Sequence, residues 1–156
     1  MLLHRSPHYY PSIMLSINET QNEIIEEFKG LSDWMDRYAY IIELGNQLPP
    51  YPENEKTPAN LIEGCQSRVW IAAHRKEYGR IHFDADSDAL IVKGIVSLLM
   101  RVLNDRTPDE ILDSDLYFID RIGLSEHLSP TRSNGLVAMV RQIRDYARAF
   151  KALSAN

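Results

Sequence analysis

Apolar residues early in the chain recur every three or four positions. Ile24, Ile25, Phe28 and Leu31 make one such set, and after Gly30 and Ser32 the residues Trp34, Tyr38, Ile41 and Ile42 make a second. A period near 3.6 puts each set on one helix face, which predicts a helical hairpin. Ser16 followed by Glu19 has the capping-box spacing that satisfies free amides at a helix start, so folded structure is expected from Met14. Residues 1–13, with two Pro, one Arg and no acid, are expected to form a flexible tail, consistent with an upstream start codon and without the apolar core of a signal peptide. The remainder, 14–156, is expected to form a single domain.

Leu48 to Pro58 holds four Pro among eleven residues, where missing amide donors and a fixed φ predict a loop without regular structure. The pattern then changes to a period of two. Val69, Ile71 and Ala73 share one face of a strand predicted over 67–73, and Ile81, Phe83 and Ala85 share one face of a second over 80–85, with a turn across Arg75 to Gly79. Ala89 to Val92 is apolar and is expected to add a third strand. Beyond it Ile95, Leu98, Leu99 and Val102 return to helical spacing. Thr107, Pro108 and Glu110 place a cap, a first-turn proline and a box acid in order, which predicts a short helix. In the last segment Leu136, Met139, Val140, Ile143, Ala147 and Phe150 form a stripe, and Arg141, Arg144 and Arg148 lie off it. Helices, then strands, then helices predict a segregated α+β fold, with a small antiparallel sheet of about three strands packed against helices from both ends of the chain. There is no internal repeat.

Composition narrows the function. With 156 residues, 44% hydrophobic and 25% charged, the chain is of globular type and long enough to bury a core without disulfides or a structural metal. A net charge of -5 argues against a nucleic-acid or anionic-membrane partner. The longest apolar stretch, 89–100, is interrupted by Lys93 and falls well short of the roughly 20 residues that span a bilayer. The single cysteine, Cys65, allows no internal disulfide, no thiolate-rich zinc site and no iron-sulfur cluster held by this chain alone.

Cys65 lies between the proline-rich loop and the first strand, where a rigid scaffold would display it, and Gly64 beside it leaves room for a partner's backbone. A buried cysteine acting as a small hydrophobe is the ordinary alternative. An unperturbed thiol is only about 3% thiolate at pH 7, so a nucleophilic Cys65 needs a cation or aligned amides close by. Arg68, Arg75 and Lys76 are near in sequence, and alternation along a strand does not say which of them turns toward the sulfur.

Three blocks carry a family resemblance. Gly64-Cys65-Gln66-Ser67 with Val69-Trp70 resembles the segment around the sulfur-accepting cysteine of the SufE family, partners of cysteine desulfurases in iron-sulfur cluster assembly. Asp86-Ser87-Asp88-Ala89 running into Ile91-Val92-Lys93-Gly94 resembles the second block of that family, and His127 through Leu136 resembles the third. The resemblance implies a SufE/IscU-like fold with Cys65 on a loop that moves to be reached. It implies that Cys65 accepts persulfide sulfur from a SufS-like cysteine desulfurase, stimulates that enzyme and passes the sulfur to a SufBCD-type assembly complex. On this reading the chain is a cytoplasmic sulfur-transfer partner and not a stand-alone enzyme. It needs no cofactor or metal of its own, because pyridoxal phosphate belongs to the desulfurase. Arg132, in the third block, is implied as support for the thiolate or persulfide, with a surface ion pair as the plainer role. Asp86 and Asp88 are expected to cap the central helix. Pairing as a homodimer stays open.

Other constellations are weaker. His82, Asp84 and Asp86 alternate on one strand face as metal ligands do, but a solvated face has the same spacing. A cysteine hydrolase built from Cys65, His74 or His127 and an Asp has only residue type in its favour. An adaptor with an inert Cys65 is the third alternative.

Overall fold

A computed structural model describes residues 14–154. The predicted tail, 1–13, lies outside them. Helix α1 (Ile17–Lys29) starts as its sequence requires: Ser16 Oγ accepts from the Glu19 amide at 3.0 Å, and Glu19 Oε1 accepts from the Ser16 amide at 2.9 Å. Helix α2 (Trp34–Gly45) begins at Asp33, whose carboxylate accepts from the Met35 amide. The two helices meet where Phe28 and Tyr40 pack edge to face at 5.3 Å and the Tyr40 hydroxyl donates to Glu27. The proline-rich segment that follows is not wholly irregular. It contains single 3₁₀ turns at Glu53–Glu55 and Pro58–Asn60, short enough that proline, whose φ suits a first turn, does not break them.

Strands β1 (Val69–Arg75) and β2 (Ile81–Ser87) pair antiparallel, with Ile71 opposite Ala85 and Ala73 opposite Phe83. Both lie one or two residues later than alternation predicts. Ser67 and Arg68 belong instead to the loop before β1, where the Arg68 carbonyl accepts from Ser87 Oγ and the Asp88 amide. Between the strands Tyr78 and Gly79 take left-handed φ of 61° and 69°, which closes the turn.

Ala89 to Val92 is not a third strand. The sheet has two strands, and helix α3 already runs from Leu90 to Leu103. Ile91, Val92, Ile95, Leu98, Leu99 and Val102 are all buried, so of the four residues read as a strand Ala89 is the helix N-cap, Leu90 faces solvent, and Ile91 and Val92 open one helical stripe. A short apolar run cannot be told from a helix start by its period alone. Nor do Asp86 and Asp88 cap this helix. Asp86 still belongs to β2 and faces Lys56 at 3.2 Å and Lys93 at 3.5 Å, while Asp88 accepts from the Arg68 amide at 3.0 Å.

Helix α3 is the centre of the core. It packs on α1, α2 and β2, and its crossing with α2 is close enough that glycines meet there. Helix α4 (Pro108–Asp113) carries the predicted Thr107–Glu110 capping box. Two further short helices, α5 (Phe118–Arg121) and α6 (Leu124–His127), were not predicted, because four residues are too few to show a period. The fully buried Gln21 holds this stretch, donating to the Asp115 carbonyl at 2.9 Å and accepting from the Phe118 amide at 3.1 Å. Helix α7 (Pro130–Ser154) extends the predicted final stripe in both directions and packs along α4 and β1. The fold is α+β as expected. No helix among the described residues is long and apolar enough to cross a membrane.

Candidate functional site at Cys65

The loop bearing Cys65 is fastened at both ends. Before it, Leu61 bridges to Trp70 and the Ile62 amide donates to the Val69 carbonyl at 2.9 Å. After it, the Asp88 and Ser87 contacts clamp Arg68. Gly64 between them has φ 89°, a left-handed conformation in which a side chain would be strained, and it turns the chain so that Cys65 points at α7.

The sulfur rests on another glycine. Cys65 Sγ lies 3.6 Å from the Gly135 carbonyl, to which the thiol donates, and a Cβ built on Gly135 would come within 3.4 Å of the sulfur. Gly135 is buried inside α7, where glycine weakens a helix, and here it gives the sulfur its seat. Sequence reasoning did not single it out, although a glycine inside a helical pattern is a sign of close approach.

Cys65 opens on a cleft of about 400 Å³, with Val92, Ile95 and Met139 as its apolar floor and Ser129, Thr131 and Arg132 along its far edge. The three sequence blocks, distant along the chain, therefore converge on one cavity. Arg132 is exposed, and its side chain forms no ion pair among the described residues. The opening turn of α7 borders the same space and brings the positive end of its helix dipole.

Burial alone acts on the thiol and pushes its pKa up. The half-buried sulfur is thus held protonated at neutral pH, and a nucleophilic thiolate requires the loop to open or a cation to approach. Of the basic residues considered from sequence, only Arg132 borders the cleft. Arg68 is exposed and does not line it. Arg75 lies at the far end of β1, roughly 20 Å along the strand, where it donates to Ser154 Oγ and stacks over Phe150. Lys76 follows Arg75 and borders a different pocket. Alkylation of Cys65 in the isolated protein is therefore expected to rise about tenfold per pH unit from pH 7, with no plateau at the ordinary thiol pKa of about 8.5. A plateau at or below pH 8, read from iodoacetamide rates, would mean that a cation already supports the sulfur.

The hydrolase constellation does not assemble. No His, Asp or Glu is among the residues lining the cleft. His127 stacks on Trp34 with ring centroids 4.2 Å apart, and His74 sits between Glu55 and Asp84. The proposed metal face is also rearranged: His82 and Asp84 remain neighbours, but Asp86 is engaged by two lysines.

The chain is similar in fold to a hypothetical protein from Thermus thermophilus whose structure was solved in solution, with a TM-score of 0.69 at 24% identity, over 85% of this chain and 96% of that one. The model of the SufE family, described as an Fe-S metabolism associated domain, matches residues 22–147. That span takes in the Cys65 loop, the start of α3, Arg132 and Gly135. The chain belongs to the SufE family, whose domain is associated with iron-sulfur metabolism.

Proposed function

We propose that the protein is a sulfur acceptor and carrier in iron-sulfur cluster assembly, loaded by a SufS-like cysteine desulfurase and unloaded onto a SufBCD-type assembly complex. The observation that supports it best is the seat of Cys65: a lone thiol, sheltered on Gly135, at the mouth of a cleft that brings no histidine or carboxylate to it. Such a site lacks the general base of a hydrolase but suits a nucleophile that is exposed only when a donor docks.

In the step itself the Cys65 thiolate attacks the terminal sulfur of the persulfide on the desulfurase. The donor S–S bond breaks, a new S–S bond forms on Cys65, and the donor cysteine leaves as a thiolate that takes up a proton. Sulfane sulfur moves without net oxidation, as in thiol-disulfide exchange. Discharging the donor frees the desulfurase for another turnover. The Arg132 guanidinium, unpaired at the edge of the cleft, supports the negative charge on the attacking sulfur and on the persulfide product. Retreat of the loaded sulfur toward the cleft shields it from small thiols in a reducing cytoplasm.

Incubation with a pyridoxal-phosphate cysteine desulfurase and free cysteine, followed by intact-mass measurement, is expected to show added sulfur on Cys65 that dithiothreitol removes. An unmodified mass after many desulfurase turnovers would reject the reading. Arg132→Ala is expected to slow loading roughly tenfold, the value of one charge-assisted contact, and Arg132→Lys to recover part of the rate. An unchanged rate in Arg132→Ala would leave Arg132 as a surface cation only.

A further inference from the structure

The solvent-facing side of the hairpin carries a second cluster of ligating groups, separate from the Cys65 cleft. His74 Nε2 lies 3.2 Å from Glu55 Oε1 and 3.2 Å from Asp84 Oδ2, and one ligand atom from each of these three residues falls within 4.8 Å of the others. His82 is the direct cross-strand partner of His74, and its Nε2 is 3.8 Å from Asp84 Oδ1. All four residues are half-buried around one pocket.

We propose that Glu55, His74, His82 and Asp84 bind one divalent transition-metal ion of the zinc class. Ligands at about 2.0–2.1 Å from a tetrahedral ion stand roughly 3.3 Å from one another, close to the spacings already present around His74. Two neutral imidazoles and two carboxylates form a nitrogen and oxygen donor set suited to such ions, with a formal charge that balances a dication.

An imidazolium bridging two acids would explain His74, Glu55 and Asp84 alone. It gives no role to His82, whose Nδ1 meets Asp105 Oδ1 at 2.9 Å while Nε2 lies 3.8 Å from Asp84 Oδ1, outside the three atoms already gathered but near enough for a small side-chain turn to bring it to the ion. That arrangement is the carboxylate–histidine pairing that fixes the tautomer and direction of a metal-bound imidazole. The supports are rigid. Asp105 is held in a left-handed conformation, φ 61°, by two hydrogen bonds: its amide donates to the Ile81 carbonyl, and the Arg80 guanidinium donates to the Asp105 carbonyl. The Glu55 carbonyl is clamped by the Tyr51 hydroxyl and by Asn60 Nδ2, each at 2.9 Å. Lys76 at the pocket edge is exposed and weakens the site without entering the donor set. A bound ion would staple the proline-rich loop to the sheet just ahead of the Leu61–Trp70 bridge that starts the Cys65 loop.

The test is titration of the full chain with cobalt(II), in a Cys65→Ser background that removes the competing thiol. One equivalent is expected to bind with the strong visible absorption of tetrahedral cobalt, and zinc is expected to displace it. His74→Gln and Asp84→Asn should each abolish the spectrum, Asp105→Asn should weaken binding about 10- to 100-fold, and His127→Gln should change nothing. Zinc at a hundredfold excess over its dissociation constant should raise Tm by on the order of 5 °C, a shift absent in His74→Gln. Binding that survives both His74→Gln and Asp84→Asn, or an absence of tetrahedral absorption, would overturn the proposal.

Discussion

Cys65→Ser is expected to reduce sulfur uptake from a charged desulfurase to background. A serine hydroxyl ionises so far above the thiol range that no useful nucleophile exists near neutrality, and an oxygen cannot hold sulfane sulfur as a persulfide does. The fold should scarcely notice. The thiol makes one weak hydrogen bond, to the Gly135 carbonyl at 3.6 Å, and serine keeps most of its volume at the half-buried edge of the core, so the variant should stay within about 1 kcal/mol of the wild-type stability. This separation makes the experiment informative: intact mass reads the loss of uptake, and a urea melt shows that the protein is still folded. The same variant separates carrier from adaptor. A carrier stimulates the desulfurase by removing its sulfur, so Cys65→Ser should lose that stimulation. If the variant stimulates cysteine turnover as well as the wild type does, Cys65 is inert and docking alone carries the effect.

Gly94→Ala is expected to be the most damaging small substitution in the core. A Cβ at this position would stand 2.1 Å from the Ile41 carbonyl oxygen and 2.5 Å from Ile41 Cγ2, and a Cβ on Gly45, one turn further along α2, would stand 2.6 Å from the Gly94 backbone nitrogen. The nearest obstacle is backbone, which cannot turn aside like a flexible side chain, so α2 and α3 must separate along their crossing. Overpacking typically costs 1–3 kcal/mol, and contact this short argues for about 3 kcal/mol or more out of a typical 5–15. The measure is the urea midpoint at constant m-value. Gly30→Ala is the contrast: its nearest obstacle is 3.7 Å away, and a change within about 0.5 kcal/mol is expected. A Gly94→Ala protein as stable as wild type would mean that the helices do not cross as described. Val92 and Ile95, which flank Gly94, also floor the Cys65 cleft, so loss of this crossing should disturb the site as well.

The elements legible from sequence were those whose signals are local. The Ser16–Glu19 and Thr107–Glu110 boxes marked two helix starts because a cap is made by residues three apart. The stripe from Leu136 to Phe150 marked α7 because one helix face is written in one segment. Ala89 to Val92 misled, since whether four apolar residues end a sheet or open a helix depends on whether a neighbouring strand has an edge to offer. Whether Arg75 or Lys76 approaches Cys65 was open in the sequence for a related reason: nearness along an extended strand is distance in space.

Sequence alone determined the α+β class, the positions of the long helices, the lone thiol on a loop and the three blocks that mark the family. Tertiary structure alone decided what those blocks build. It brought Arg132 to the edge of the cleft of Cys65 and set Gly135 beneath the sulfur, though about 70 residues separate them in sequence. It also gathered Glu55, His74 and Asp84 on the far side of the sheet. The physical reason is the range of the interactions. Caps and periodicity act within a turn or two of chain, whereas a thiol's pKa, a glycine's clearance and a ligand set depend on atoms that only packing of the whole core brings within a few ångströms.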